Sequence, residues 1–427
     1  MSKQTETASP AGVSNRGQMF LASCVALIAT AIIFAVRGDI ADDLCAHFNR
    51  SKEEMGLAFG FAFWGFAGAI FVGGQLCDLI GMRAILALAF LCHVVGTLMT
   101  VFAPSYLMLA VATLLIGLGN GFVEAAINPL VATIYPDKKT EKLNFLHAWW
   151  PGGIVIGSVL AYALSKAGQG WRLPQGWEIW QVKQATVLIP AVIYGIMLLR
   201  LRLPRTERVQ SGVSTGRMYK EALRPLFILW FICMWLTAAT ELGPNQWIAS
   251  IMKKTALSST SPEAGILVLA WISAVMLVGR LFAGPVVHKL SPIGLLLASA
   301  ATSAIGLVAL SRVTSAPTAF VASFVFSVGI CYFWPTMLGV TSERFPAGGA
   351  FLLGLIGAAG NVSTGAAQPL MGYFYDTFGP AGALRYVAIL PAALVFIFGA
   401  IFIRDLAKGG YKVVKLAEEA ASPEKSP

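Results

Sequence analysis

About twelve apolar stretches succeed one another along the chain, near 17–40, 54–77, 83–103, 105–135, 143–167, 184–203, 223–252, 262–287, 291–312, 316–341, 349–376 and 380–404. Each is close to the roughly 20 residues that a helix needs to cross a hydrocarbon core of about 30 Å. Hydrophobic residues make up 57% of the 427 residues, charged ones 12%, and the mean hydropathy is +0.72. That leaves too little polar surface to solvate a globule, so the expectation is an all-α polytopic membrane protein seated in a lipid bilayer.

The net charge of +10 does not point to nucleic acid, because of where the cations fall. With the N-terminus placed in the cytoplasm, most Lys and Arg residues lie on the cytoplasmic side. The densest group is Arg200, Arg202, Arg205, Arg208, Arg217, Lys220 and Arg224. This bias predicts both termini in the cytoplasm of a plasma (bacterial inner) membrane. Six cysteines lie mostly inside the spans without metal-ligand spacing, so no disulfide framework, metal or other cofactor is expected. Leu21-Ala22-Ser23-Cys24 has the look of a lipoprotein processing box, but only Met19 and Phe20 precede it as apolar residues, and the first stretch is read as a retained helix.

Residues 1–16 and 406–427 are polar tails, both expected in the cytoplasm. The polar stretch 204–222 divides the chain into six spans at 17–203 and six at 223–405. A shift of 210 residues carries Gly74 onto Gly284, Ser105 onto Ser315 and Pro136 onto Pro346, which predicts that the halves are repeats.

The connection after the second span reads Gly74-Gln75-Leu76-Cys77-Asp78-Leu79-Ile80-Gly81-Met82-Arg83. Gly74 permits close helix contact, Gly81 a tight turn, and Asp78 with Arg83 a charged latch between helices that separate during transport. This G-x-x-x-D-x-x-G-x-R pattern resembles the loop signature of the major facilitator superfamily. The resemblance implies twelve helices in two pseudo-symmetric six-helix halves, a central site and alternating access. The matching loop Gly284-Pro285-Val286-Val287-His288-Lys289 has no acid, so a second, symmetric latch is not expected. Thr113 stands where the superfamily's drug/proton antiporters carry an Arg. The stretch Gly117–Pro136, GLGNGFVEAAINPLVATIYP, followed by KLNFLHAWWPGGIVIG, resembles instead the fucose–galactose–glucose:H⁺ symporters. Gly38-Asp39-Ile40, Val278-Gly279-Arg280 and Trp334-Pro335-Thr336 extend the likeness.

The residues that could carry chemistry sit inside the spans. Glu124 is a carboxyl in the middle of the fourth, where an ionised group costs roughly 2.5–3.5 kcal/mol on insertion scales. Exclusion of water favours its neutral form, and Asn128 shares its helix face at i+4. The resemblance gives the proton-coupling role to Glu124 and Asp39. Arg37 is expected either to pair with Asp39 or to bind an anion. Glu241 and Asn245 repeat the i, i+4 geometry in the seventh span around Gly243-Pro244, where the helix is expected to break and to present Gln246 and Trp247. Asn361, Thr364 and Gln368 form a polar stripe in the eleventh. Asn144, His147 and Trp150 open the fifth, where an indole can stack on a sugar ring. Arg280 is read as an intramembrane ion-pair partner or as a cation snorkelling to the cytoplasmic side.

These features exclude direct ATP coupling, since no phosphate-binding loop is present, and an enzymatic centre is not expected. The resemblance implies a monomeric secondary transporter for proton-coupled uptake of a monosaccharide, a hexose or deoxyhexose. The rival within the same fold carries an organic anion such as a sugar acid, with Arg37 or Arg280 as counter-charge. Sodium is the alternative coupling ion. A non-transporting membrane sensor is the remaining class, and it would need an output domain that the short tails do not supply.

Overall fold

The computed structural model describes residues 15–414 apart from 51, 169, 175 and 255–263. The chain runs as α1 (Arg16–Asp39), α2 (Ala41–Phe48), α3 (Lys52–Ile80), α4 (Met82–Val101), α5 (Tyr106–Ile134), α6 (Lys139–His147), α7 (Trp149–Gly168), α8 (Ile179–Ala185) and α9 (Leu188–Arg200). Two short helices follow, α10 (Glu207–Gln210) and α11 (Thr215–Ala222). The second half holds α12 (Pro225–Lys254), α13 (Ala264–Leu281), α14 (Ala283–Leu310), α15 (Ala316–Ile330), α16 (Phe333–Arg344), α17 (Gly349–Val387) and α18 (Ile389–Ala407). Among the described residues, 10 helical stretches are long and apolar enough to cross a membrane. With α7 and with α13, the path makes the expected twelve crossings, six on each side of residues 204–222.

Short polar signals punctuate the two halves at matching places. Ser105 caps α5, its side chain accepting from the Met108 N–H, and Ser315 caps α15 in a capping box with Thr318. α5 ends at Tyr135 (φ −129°, ψ 63°) and α16 at Phe345 (φ −128°, ψ 49°), each directly before the paired prolines 136 and 346. The turn between the second and third spans pivots on Gly81 (φ 89°, ψ 149°), and its counterpart 210 residues on is Ser291 (φ 61°, ψ 161°). Both halves therefore use the same left-handed corner, which costs a residue with a Cβ about 1–3 kcal/mol. The Ser291 hydroxyl recovers part of that by accepting from the Gly294 N–H at 3.3 Å.

Small residues set how closely the spans approach. A Cβ at Gly121 would run into the backbone of Phe66 and Ile70, so α3 and α5 meet backbone to backbone. Across the two halves, a Cβ at Gly74 would fall 2.5 Å from the Ala350 carbonyl, so α3 and the start of α17 close against each other.

Gly81→Ala is expected to lower stability by about 1–3 kcal/mol, read as a lower thermal midpoint of the purified protein in detergent. Ala at Gly60, which also has open space around it but no positive φ, is the control that should stay near wild type.

Candidate functional site

α5 presents Glu124 and Asn128 one turn apart, both buried. Pro129 sits inside α5 without ending it, and the Ala125 carbonyl that it leaves without its usual N–H is met by the Cys77 thiol at 3.4 Å. Asn128 Oδ1 is 2.9 Å from His147 Nε2. His147 is the last residue of α6, where the fifth span is interrupted before α7, and its carbonyl accepts from Arg280 Nη1 at 3.0 Å. Arg280 Nε donates at 2.5 Å to the carbonyl of Cys331, in the gap between α15 and α16. Arg280 Nη2 donates at 2.8 Å to Glu241 Oε1. The side chains of this pair are 2% and 4% exposed.

A buried ion pair is stable only when its remaining hydrogen-bonding capacity is met. Arg280 satisfies that with acceptors from three elements. The carboxyls do not: Glu124 Oε2 and Glu241 Oε2 are buried without a hydrogen-bond partner, as is Trp334 Nε1. Asn128, Trp334 and the charge of Arg280 are the groups that act on Glu124. Trp334 is also its counterpart under the 210-residue shift. The centre is thus a guanidinium paired with Glu241 at the seam of the halves, with the Glu124 carboxyl within the influence of its charge, chemistry suited to a carboxylate and to a proton.

The other sequence-derived candidates are placed as follows. Asn144 donates from Nδ2 to the Thr140 carbonyl (2.9 Å) and to Thr336 Oγ1 across the seam (3.1 Å), with its Oδ1 unpartnered. Asn361 and Thr364 bond back to the carbonyls of Gly357 and Gly360. Trp150 is half-buried, tilted on Phe34 at 5.9 Å. Asn245 Oδ1 is buried without a partner. The side chains of Gln246 and Gln368 lie outside the described residues. Asp39 ends α1 and pairs with Lys183 of α8 at 2.7 Å, on a 40% exposed side chain, so it is not brought to Glu124. Arg37 does not pair with Asp39: its guanidinium stands over Phe34, Phe59 and Phe63 and its Nη1 is without a hydrogen-bond partner. The expected break in the seventh span does not occur. α12 stays helical through Pro244, as α5 does through Pro129, because one lost N–H costs a single rung when neighbouring spans hold the helix on both sides.

The latch also differs from its expectation. Gly74 and Gly81 serve the predicted close contact and turn, but Asp78 binds Arg208 Nε (2.7 Å) and Thr206 from the linker. Arg83 reaches only the Leu199 carbonyl, at 3.4 Å. The linker thereby supplies the cation, and a Cβ at Gly349, the first residue of α17, would meet Arg208. Around it the two halves are joined by Lys139 to Glu207 (2.7 Å) and to the Ser342 carbonyl (3.1 Å). Glu343 accepts from the Thr140 N–H and hydroxyl (3.1 and 2.8 Å) and from the Tyr411 hydroxyl (2.5 Å). His288 Nε2 meets Glu141 at 2.9 Å. The bonds from Lys139, Thr140 and His288 join the halves on this linker face, and those from Asn144 and Arg280 join them at the central seam. Burial acts to raise the Glu141 carboxyl, but bonds from Lys142 and His288 and the charges of Lys142 and Lys138 outweigh it and hold the group below its ordinary range. Sequence reasoning missed Arg208, Thr140 and Glu343; their signal is only that charged and polar residues fill connections too short to be free.

With this geometry in place, residues 19–348 match the family model described as Major Facilitator Superfamily. The cis,cis-muconate transport protein of Acinetobacter baylyi is 25% identical over 412 residues, 90% of this chain and 94% of that one. The gentisate transporter of Corynebacterium glutamicum is 23% identical over 230 residues, 51% of this chain and 50% of that one. Among solved structures, the fucose:proton symporter of E. coli superposes with a TM-score of 0.74 at 14% identity, over 90% of this chain and 98% of that one.

Asp78→Asn leaves Arg208 buried beside a neutral partner, a loss of about 3–5 kcal/mol from the closed face. Maleimide labelling of Cys77, buried beneath that face, should rise in this variant and equally in Arg208→Ala, without adding in the double variant. Because the lowered Glu141 group contributes while ionised, its contribution is present above the ordinary carboxylate range and lost as pH falls through its lowered value. Cys77 labelling, normalised at each pH to that of the unfolded chain to remove the thiol's own pH dependence, should therefore also rise on acidification, less so in Glu141→Gln.

Proposed function

The chain belongs to the Major Facilitator Superfamily, and from that premise we propose that it carries a small organic anion across the membrane together with a proton. It is a membrane transporter and not an enzyme, binding a small molecule between its halves. The observation that carries the cargo class is Arg280, a guanidinium buried at the seam, paired with Glu241 and acting by its charge on Glu124. A guanidinium presents N–H donors in a planar fork that matches a carboxylate. Of the amides expected to read sugar hydroxyls, Asn128 bonds to His147, Asn361 to Gly357, and Asn144 through its Nδ2 to Thr140 and Thr336. Two relatives are named for muconate and gentisate, both carboxylates, which supports the same class.

In this reading Glu124 is the carboxyl through which the coupling proton passes, and Asp39, held by Lys183 at the end of α1, has no part in it. Protons rather than sodium fit a centre that offers buried carboxyls and a fixed cation, where a metal ion would be repelled. We read both termini as cytoplasmic, which puts the closed linker face on the cytoplasmic side. The two faces then open in turn around the central site.

Reconstituted vesicles with an alkaline interior, in sodium-free buffer, should accumulate labelled gentisate or cis,cis-muconate, and a protonophore should abolish the accumulation. Glucose and fucose should not compete. Glu124→Gln should lose pH-driven accumulation and keep exchange of cargo across the membrane. Competition by hexoses and none by carboxylates would return the assignment to a monosaccharide.

A further inference from the structure

We infer that Glu241 is an internal stand-in for the cargo: in the empty site its carboxylate fills the place on Arg280 that a cargo carboxylate takes, and cargo binds only as Glu241 is released and protonated. The inference rests on the organic-anion reading above and adds the residue that ties anion to proton.

Three observations separate a displaceable partner from a permanent one. Glu241 uses only Oε1 on Arg280, while Oε2 is buried without a hydrogen-bond partner. Arg280 is held independently by the carbonyls of Cys331 and His147, at two helix interruptions on opposite sides of the seam, so it stays aimed when Glu241 leaves. Of its five N–H donors, those three bonds use three, which leaves donors for a second oxygen of an incoming carboxylate. Pro244 then follows Glu241 by less than one turn, leaving the helix one N–H short beside it.

Charge balance supplies the coupling. With Glu241 and cargo both ionised beside one guanidinium, a buried negative charge would be left uncompensated, which such a site disfavours strongly. A proton, taken from the aqueous side from which the cargo enters, therefore bonds to the Glu241 carboxylate as the cargo carboxylate takes its place, one proton for each anion. The charged and titratable groups around the pair are Arg280 of α13, Cys331 and Tyr332 at the α15–α16 gap, His147 of α6 and Glu124 of α5. α17 meets α12 through Ser363, Ala367, Met371 and the titratable Tyr375, whose ring lies 5.9 Å from that of Trp247, and α18 meets it through Phe398.

Equilibrium binding of labelled gentisate and cis,cis-muconate to the purified full chain between pH 5.5 and 8.5 tests this. Wild-type affinity should fall by up to about tenfold for each pH unit. Glu241→Gln should flatten that dependence and bind at least about tenfold more tightly than wild type at pH 8, since the competitor is gone; Glu124→Gln should show no such gain. Glu241→Ser is the second variant should the first fail to fold. Weaker binding by Glu241→Gln at every pH, a retained slope, or a flat wild-type profile would overturn the stand-in role and leave anion transport standing. No binding of either carboxylate by wild type would overturn the transport reading, and the stand-in role with it.

Discussion

A guanidinium keeps its proton at any accessible pH, so burying one obliges the surrounding protein to supply acceptors. Arg280 is that obligation at the middle of this molecule. Its acceptors are a carboxylate of α12 and two backbone carbonyls, and a carbonyl is available inside a membrane span only where the helix ladder is interrupted. The interruptions after His147 and at Cys331 are therefore part of the same arrangement as the charge. Since His147 belongs to the first half and Cys331 to the second, the cation also ties the halves together at the depth where cargo must sit.

The spans, the six-and-six division and the helix caps were legible in the sequence because each depends on local chemistry: apolar length, a serine before a run, a glycine at a corner. The interior was legible as far as helical spacing reaches. Spacing shows that Glu124 and Asn128 share a face; it does not show that His147, on another helix, takes up the Asn128 carbonyl oxygen. The latch was misread for the same reason. Asp78 and Arg83 are neighbours in sequence, but Arg83 starts α4 and reaches towards Leu199, while Arg208 arrives from 130 residues away. Pro244 looked like a break because its local cost was visible and the packing that offsets it was not.

The halves share a plan and divide the chemistry unequally. At the same corner one uses Gly81 and the other Ser291, with a hydroxyl offsetting part of the strain. At the paired position one half carries Glu124 and the other Trp334. The second half lacks an acid in its loop, and Glu141 of the first half reaches across to His288 there. Duplication thus gives the frame, and divergence at paired positions gives a centre that neither half could form alone.

The Asp78–Arg208 pair and the Arg280 charge that acts on Glu124 also impose an order on biosynthesis. Asp78 emerges 130 residues before its cation, and Glu124 emerges 156 residues before Arg280. At synthesis rates of about 5–20 residues per second, these waits come to roughly 7–25 s and 8–30 s. For that time the first half must rest in the bilayer with its carboxyls unserved, which requires Glu124 to enter as the neutral acid and Asp78 to stay in contact with water until the linker is made. The nascent chain is least protected between its fourth span and the linker, when both carboxyls wait at once.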